Sequence, residues 1–200
     1  MSEESVIYIV DDDPTLLITL EQLVKAVYPN VRTFSSAGDF LDAYDPDNLS
    51  CLVLDIAMPE INGLELQQRM AEMEDAPPII FVTGHADVKM AVSALQDGAA
   101  GFLEKPVQKQ ELWDCIRKAL NEDRKRRTRR EKMAVLNERL SRLSEGERSV
   151  LDLLLVGKTN RQVAEAMDMS TRTVEDRRAR IMKKMEAGSF AELVRMTLLQ

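Results

Sequence analysis

The chain has 200 residues, 44% of them hydrophobic and 30% charged, with 27 basic and 34 acidic side chains and 2 cysteines. That balance excludes a disordered or fibrous chain and suits one or two compact domains. No apolar run approaches the roughly 18 residues of a membrane span, no basic start leads into an apolar leader, and Cys51 and Cys115 read as separate buried thiols, so the expectation is a soluble protein of a reducing cytoplasm.

The first strand is predicted at 6–10 and ends in three acids, Asp11, Asp12 and Asp13. Pro14 suits a first helical turn, and Leu16, Leu20, Leu23 and Val27 follow one face of a helix. A second strand at 31–34 precedes a short helix around Phe40 and Leu41, and a third at 51–54 runs into Asp55. Leu66, Met70 and Met73 mark the next helix. A fourth strand at 79–82 ends at Thr83, and Val88, Ala91, Val92 and Leu95 mark the helix after it. The fifth strand, 101–103, leads to Lys105 and Pro106, and Leu112, Ile116 and Leu120 mark a fifth helix. Several of these strands are apolar throughout, as expected when both faces are covered. Five strands alternating with five helices predict an α/β, doubly wound parallel sheet, which binds ligands at the carboxyl ends of its strands. Asp11, Asp55, Thr83 and Lys105 all fall at such ends.

Charge then divides the chain. Residues 1–120 hold 8 basic and 21 acidic side chains, 121–140 hold 8 and 4, and 141–200 hold 11 and 9. Six of the seven positions from Arg124 to Arg130 are basic with no core-forming residue among them, which predicts an exposed helical linker at 121–140. From residue 141 the pattern is helical only. Ser144 and Glu147 have capping-box spacing ahead of Val150, Leu151, Leu154 and Leu155, and Gly157 closes that helix. A short helix carries Val163, Ala164 and Met167, a turn follows at 168–170, and a longer helix at 171–185 turns Val174, Ile181 and Met185 inward. A last amphipathic helix is predicted from Phe190 to 199. Two helices joined by a tight turn, the second carrying Arg172, Arg177, Arg178, Arg180, Lys183 and Lys184, predict a helix-turn-helix able to neutralise phosphates in a DNA groove.

The acidic rim predicts phosphoryl chemistry. A carboxylate attacks phosphorus when a divalent cation neutralises the phosphoryl oxygens and an ammonium stabilises the developing charge. Asp55 suits the nucleophile, Asp11 and Asp12 the cation, Lys105 the ammonium, and the Thr83 hydroxyl can donate to a phosphate oxygen. Each residue alone has a plainer explanation: Asp11 to Asp13 as caps of the following helix, Asp55 as a turn acid, Lys105 as a surface lysine. Asp11 to Thr15 also reads as D-x-D-x-T, the nucleophile loop of haloacid-dehalogenase-like phosphatases, but that reading leaves Asp55, Thr83 and the helical tail without a role. His85, the only histidine, is expected to be an ordinary loop residue, so the phosphoryl group should arrive from another protein.

Residues 5–120 resemble a response-regulator receiver domain, through VDDD at 10–13, LDIAMP at 54–59, Gly63, FVTG at 81–84 and EKP at 104–106. The resemblance implies a CheY-like sheet of strand order 2-1-3-4-5, the phosphoacceptor at Asp55, and a Mg2+ or Mn2+ site from Asp11, Asp12, Asp55 and the backbone carbonyl of Ala57. It also implies a switch hydroxyl at Thr83, a switch aromatic at Phe102 where many members have tyrosine, a phosphate-binding Lys105 and a cis peptide before Pro106.

Residues 141–199 resemble the four-helix DNA-binding domain of the LuxR family through LSEGERSVL at 143–151, TNRQVAEAM at 159–167 and STRTVEDRRARIMKKM at 170–185. With the receiver in front, the match is to the FixJ-like branch. This implies base-facing positions at Glu175, Asp176 and Ala179, and backbone or flanking contacts from Thr173, Val174, Arg177, Arg180 and Lys184. Arg177 stands where histidine is common, and the two acids are unusual on a DNA-facing surface. The expected partners are a sensor histidine kinase, double-stranded promoter DNA, a second copy of the chain after phosphorylation, and RNA polymerase as a further candidate; no membrane and no enzymatic activity are expected. A phosphorylation-controlled protein-docking module is the alternative for the helical tail.

Overall fold

A computed structural model describes residues 5–73, 75–84 and 88–197. Its contacts divide the chain into two compact units, Met1–Arg126 and Arg127–Gln200.

The first unit alternates β1 (Val6–Val10), α1 (Pro14–Lys25), β2 (Val31–Phe34), α2 (Ala37–Ala43), β3 (Ser50–Asp55), α3 (Gly63–Ala71), β4 (Ile79–Thr83), α4 (Val88–Gln96) and β5 (Gly101–Glu104). It then enters α5, a single helix of 33 residues, Lys109–Ser141, whose last part belongs to the second unit. The five strands are all parallel, in the order β2-β1-β3-β4-β5. Side chains alternate between faces, so one β1 strand feeds two cores. Tyr8 and Val10 join Leu52, Leu54, Phe81, Phe40, Leu66 and Met70 on one face. Ile7 and Ile9 join Leu20, Val24, Cys51, Val53, Ile80, Leu112 and Ile116 on the other. Burial on both faces is why these strands lack polar alternation.

Three expected helix stripes shift. Val27 lies beyond the end of α1 and Met73 beyond that of α3, and both are exposed. On α4, Val92 and Leu95 are also exposed and Ala94 is buried, while the side chains of Val88 and Ala91 lie outside the described residues. The Ala94 carbonyl accepts from the Gln67 amide at 3.1 Å, which ties this helix to α3.

The α5 segment past Leu120 is anchored to the first unit. Asp123 is fully buried; it accepts the Ser50 N–H at the start of β3 (3.0 Å) and pairs with Arg126 at 2.8 Å, and Arg126 also donates to the Ala76 carbonyl. Residues of the expected linker thus carry contacts of the first unit through Arg126, while Leu136 and Leu140 enter the core of the second.

The second unit adds α6 (Glu145–Leu155), α7 (Asn160–Ala166), α8 (Thr171–Lys184) and α9 (Phe190–Thr197). The Ser144/Glu147 capping box forms as expected, and Thr159 with Gln162 makes a second one at the start of α7. Its core joins Leu136, Leu140, Val150, Leu151, Leu154, Val163, Val174, Ile181, Met185 and Leu193.

Candidate functional site: an acidic pocket and a basic helix

The carboxyl ends of β1, β3 and β4 and the loop after β5 bring Asp11, Asp55, Thr83 and Lys105 together. Parallel strands end on one rim, so acids far apart in the chain meet there. The Lys105 Nζ lies 2.8 Å from Asp11 Oδ2 and 2.8 Å from Asp55 Oδ1. The other Asp55 oxygen accepts the Ala57 N–H at 2.9 Å, and the other Asp11 oxygen accepts the Asp13 N–H at 2.9 Å. Asp11 and Asp55 are buried and Asp12 is exposed, and carboxylate oxygens of all three lie within 4.8 Å of one another. Burial raises the Asp11 carboxyl above its ordinary value, against the opposing pull of Lys105 and the Asp13 N–H. For Lys105, burial alone would depress the ammonium, but its hydrogen bonds to Asp11 and Asp55 outweigh this and hold it above its ordinary value. The pocket therefore stabilises one half-buried cation between two buried carboxylates.

The three consecutive acids have separate tasks. Asp13 caps α1, accepting from the N–H groups of Thr15 (2.8 Å) and Leu16 (3.3 Å), with Pro14 in the first turn. Asp11 and Asp12 take no part in that cap and face the pocket instead. The same division weakens the phosphatase motif, whose second acid would be Asp13. Behind Asp55 the chain doubles back tightly: Gly63 N donates to the Ile56 carbonyl at 3.0 Å, and a Cβ at residue 63 would come within 2.3 Å of the Asp55 carbonyl oxygen. Only glycine admits that approach.

Thr83 is buried at the end of β4, and its carbonyl accepts the Lys105 N–H at 2.8 Å. The Lys105–Pro106 peptide is cis. Phe102 is half-buried, its ring 6.5 Å from that of Phe81. His85 lies outside the described residues.

Comparison with known proteins agrees with this geometry. The family of the response regulator receiver domain matches residues 7–117, and that of the bacterial regulatory proteins of the luxR family matches residues 141–197. The response regulator protein TodT of Pseudomonas putida is 41% identical over 193 residues, covering 96% of this chain and 85% of that protein. The transcriptional regulatory protein FixJ of Bradyrhizobium diazoefficiens is 36% identical over 198 residues, covering 99% of this chain and 97% of its own length. A solved structure of the response regulator StyR superposes with a TM-score of 0.87 at 36% identity, covering 98% of this chain and all of that one.

This chain belongs to the response regulators.

Its receiver domain is followed by a LuxR-type DNA-binding domain, and the first implies a histidine kinase partner as the second implies DNA. The chain is homologous to transcription regulators, and no helix among the described residues is long and apolar enough to cross a membrane. Within the response regulator's helix α8, the expected contact residues separate. Thr173, Glu175, Asp176, Ala179 and Arg180 are exposed. Val174 is fully buried in the core with residues of α6 and α7, as its inward spacing predicts. Arg177 donates to the Gly146 carbonyl at 3.2 Å and Lys184 to Glu147 at 2.6 Å, so both are held inside the domain. Sequence reasoning passed over Glu147 as anything but a cap, and Asp123 altogether. Capping-box spacing flagged the first; nothing local signals the second.

Proposed function

We propose that the chain is a cytoplasmic transcription regulator switched by phosphorylation of Asp55, with a receiver at 1–120, a helical linker at 121–140 and a DNA-binding domain at 141–200. The observation that carries this reading is the bridging ammonium: Lys105 lies 2.8 Å from both Asp11 and Asp55, as a group that must compensate negative charge at this rim. A histidine kinase supplies the phosphoryl group. An Asp55 oxygen attacks phosphorus, the bond from phosphorus to the kinase imidazole nitrogen breaks, and that nitrogen keeps the electron pair and takes a proton.

The donor set fits a hard divalent cation, because two buried and one exposed carboxylate offer oxygens within 4.8 Å of one another. Asp11, Asp12, Asp55 and the Ala57 carbonyl would hold Mg2+ or Mn2+, which supplies neutralisation of the phosphoryl oxygens. Lys105 then moves its ammonium toward the phosphate, leaving the Asp11 pairing. Thr83 donates its hydroxyl to a phosphate oxygen, and Phe102 repacks behind it. The phosphate need only favour one arrangement by a few kcal/mol to shift the population. The phosphorylated receiver pairs with a second copy, and the LuxR-type domain binds promoter DNA through Thr173, Glu175, Asp176, Ala179 and Arg180, with RNA polymerase as a further partner.

Intact-mass spectrometry after incubation with acetyl phosphate and magnesium tests the central step. The protein is expected to gain one phosphoryl group, mapped to residue 55, and Asp55→Asn is expected to gain none. A wild-type protein that stays unmodified, or an Asp55→Asn protein modified equally, removes Asp55 from this role.

A further inference from the structure

Helix α8 carries six cations, and their surroundings divide them in two. Arg177 is bound to the Gly146 carbonyl and Lys184 to Glu147. Arg178 donates to Asn160 at 3.3 Å and sits 4.9 Å over the Phe190 ring. Arg172, Arg180 and Lys183 are exposed and have no hydrogen-bond or ion-pair partner among the described residues. At about 100° per residue, these three lie within an arc of about 80°, roughly opposite the buried stripe of Val174, Ile181 and Met185. The held cations flank that stripe instead.

We infer that α8 meets phosphate through Arg172, Arg180 and Lys183, and that the neighbouring Lys184 is a positioning residue that fastens the end of α8 to the first turn of α6. This rests on the reading that α8 faces DNA, and it adds Arg172 and Lys183 to that surface while withdrawing Lys184 from it. Binding to phosphate gains free energy from released counterions, one for each cation that newly neutralises a phosphate. Lys184 is already neutralised. Its partner cannot follow it outward, because Glu147 is buried and also accepts the Ser144 N–H at 2.8 Å within the capping box. Moving Lys184 to a phosphate would strand a buried carboxylate. Lys183, one residue away, has no such tie. Gly146 keeps the same corner tight: a Cβ there would lie 2.8 Å from Arg177 Nη1.

The test is the salt dependence of full-length protein binding to a random-sequence duplex, read by fluorescence anisotropy. Arg172→Gln and Lys183→Gln are each expected to reduce the slope of log affinity against log salt by about 0.9, which makes the loss between roughly 50 and 200 mM about 3.5-fold smaller. Lys184→Gln is expected to weaken binding with an unchanged slope, and Lys184→Arg, which keeps a donor for Glu147, to recover wild-type affinity. A reduced slope for Lys184→Gln, a failure of Lys184→Arg to recover affinity, or unchanged slopes for Arg172→Gln and Lys183→Gln would overturn the assignment while leaving DNA binding intact. Wild-type protein with no affinity at low salt would overturn the DNA reading itself, and the assignment with it.

Discussion

Replacing Asp123 with alanine should destabilise the receiver far more than an acid in a charged, solvated segment would suggest. Its carboxylate is fully buried and accepts the Ser50 N–H at 3.0 Å, tying α5 to the start of the central strand β3. Without it that N–H is buried and unpaired, a cost of about 1–3 kcal/mol. The Arg126 side chain is 40% exposed, so water takes over much of its solvation and the lost ion pair adds no more than about 1 kcal/mol. Together these predict a loss of about 1–4 kcal/mol, which lowers a urea midpoint by about 0.5–2 M for a slope of about 2 kcal/mol per molar. Trp113, the only tryptophan, reports on this unit alone: it lies in the receiver part of α5 and donates to the Leu23 carbonyl at 2.9 Å. Asp123→Asn keeps an acceptor for Ser50 and should lose about half as much. A Trp113 midpoint for Asp123→Ala within about 0.2 M of wild type would show that this bond contributes nothing to the receiver.

Two further outcomes follow from burial and charge. Tyr8 is fully buried in a ring cluster with Phe34, Phe40 and Tyr44, and its hydroxyl has no hydrogen-bond partner among the described residues. Tyr8→Phe should therefore raise the Trp113 urea midpoint, by about 1 kcal/mol of stability, whereas a lower midpoint would reveal a partner for that oxygen. Glu147 is held at about 2 by its hydrogen bond to Lys184, and then by the Ser144 N–H, against an ordinary value of 4.5. A carboxyl depressed on folding stabilises above its unfolded value and loses that contribution as pH falls through its folded one. The LuxR-type domain should thus lose stability as pH falls from about 4.5 to about 2, and calorimetry should show a shallower fall for Glu147→Gln. Parallel pH profiles for the two proteins would contradict the pairing.

Much of the receiver was legible because its signals are local. Most of the strands are short apolar runs, and each strand ends at or beside a charged or hydroxyl residue, so both the parallel sheet and its reactive rim follow from short segments. The helix stripes were less reliable. On α4 the larger residues Val92 and Leu95 are exposed and Ala94 is buried, where Gln67 of α3 donates to the Ala94 carbonyl, a partner distant in the chain. In the helical domain, the capping box, the apolar face of α6 and the inward turn of Val174 all follow from spacing.

The amino-acid order alone determined the alternation of strands and helices, the acids at strand ends and the basic second helix of the helix-turn-helix, since each depends on neighbours within a few residues. Tertiary structure decided which member of a local group does what. Asp13 caps a helix while Asp11, two residues earlier, meets a lysine 94 positions away. Lys184 is tied to Glu147 while Lys183 is free among the described residues. Adjacent residues of the same chemistry are alike in a sequence, and only the direction each side chain takes from the folded backbone, and the partner it meets there, separates their roles.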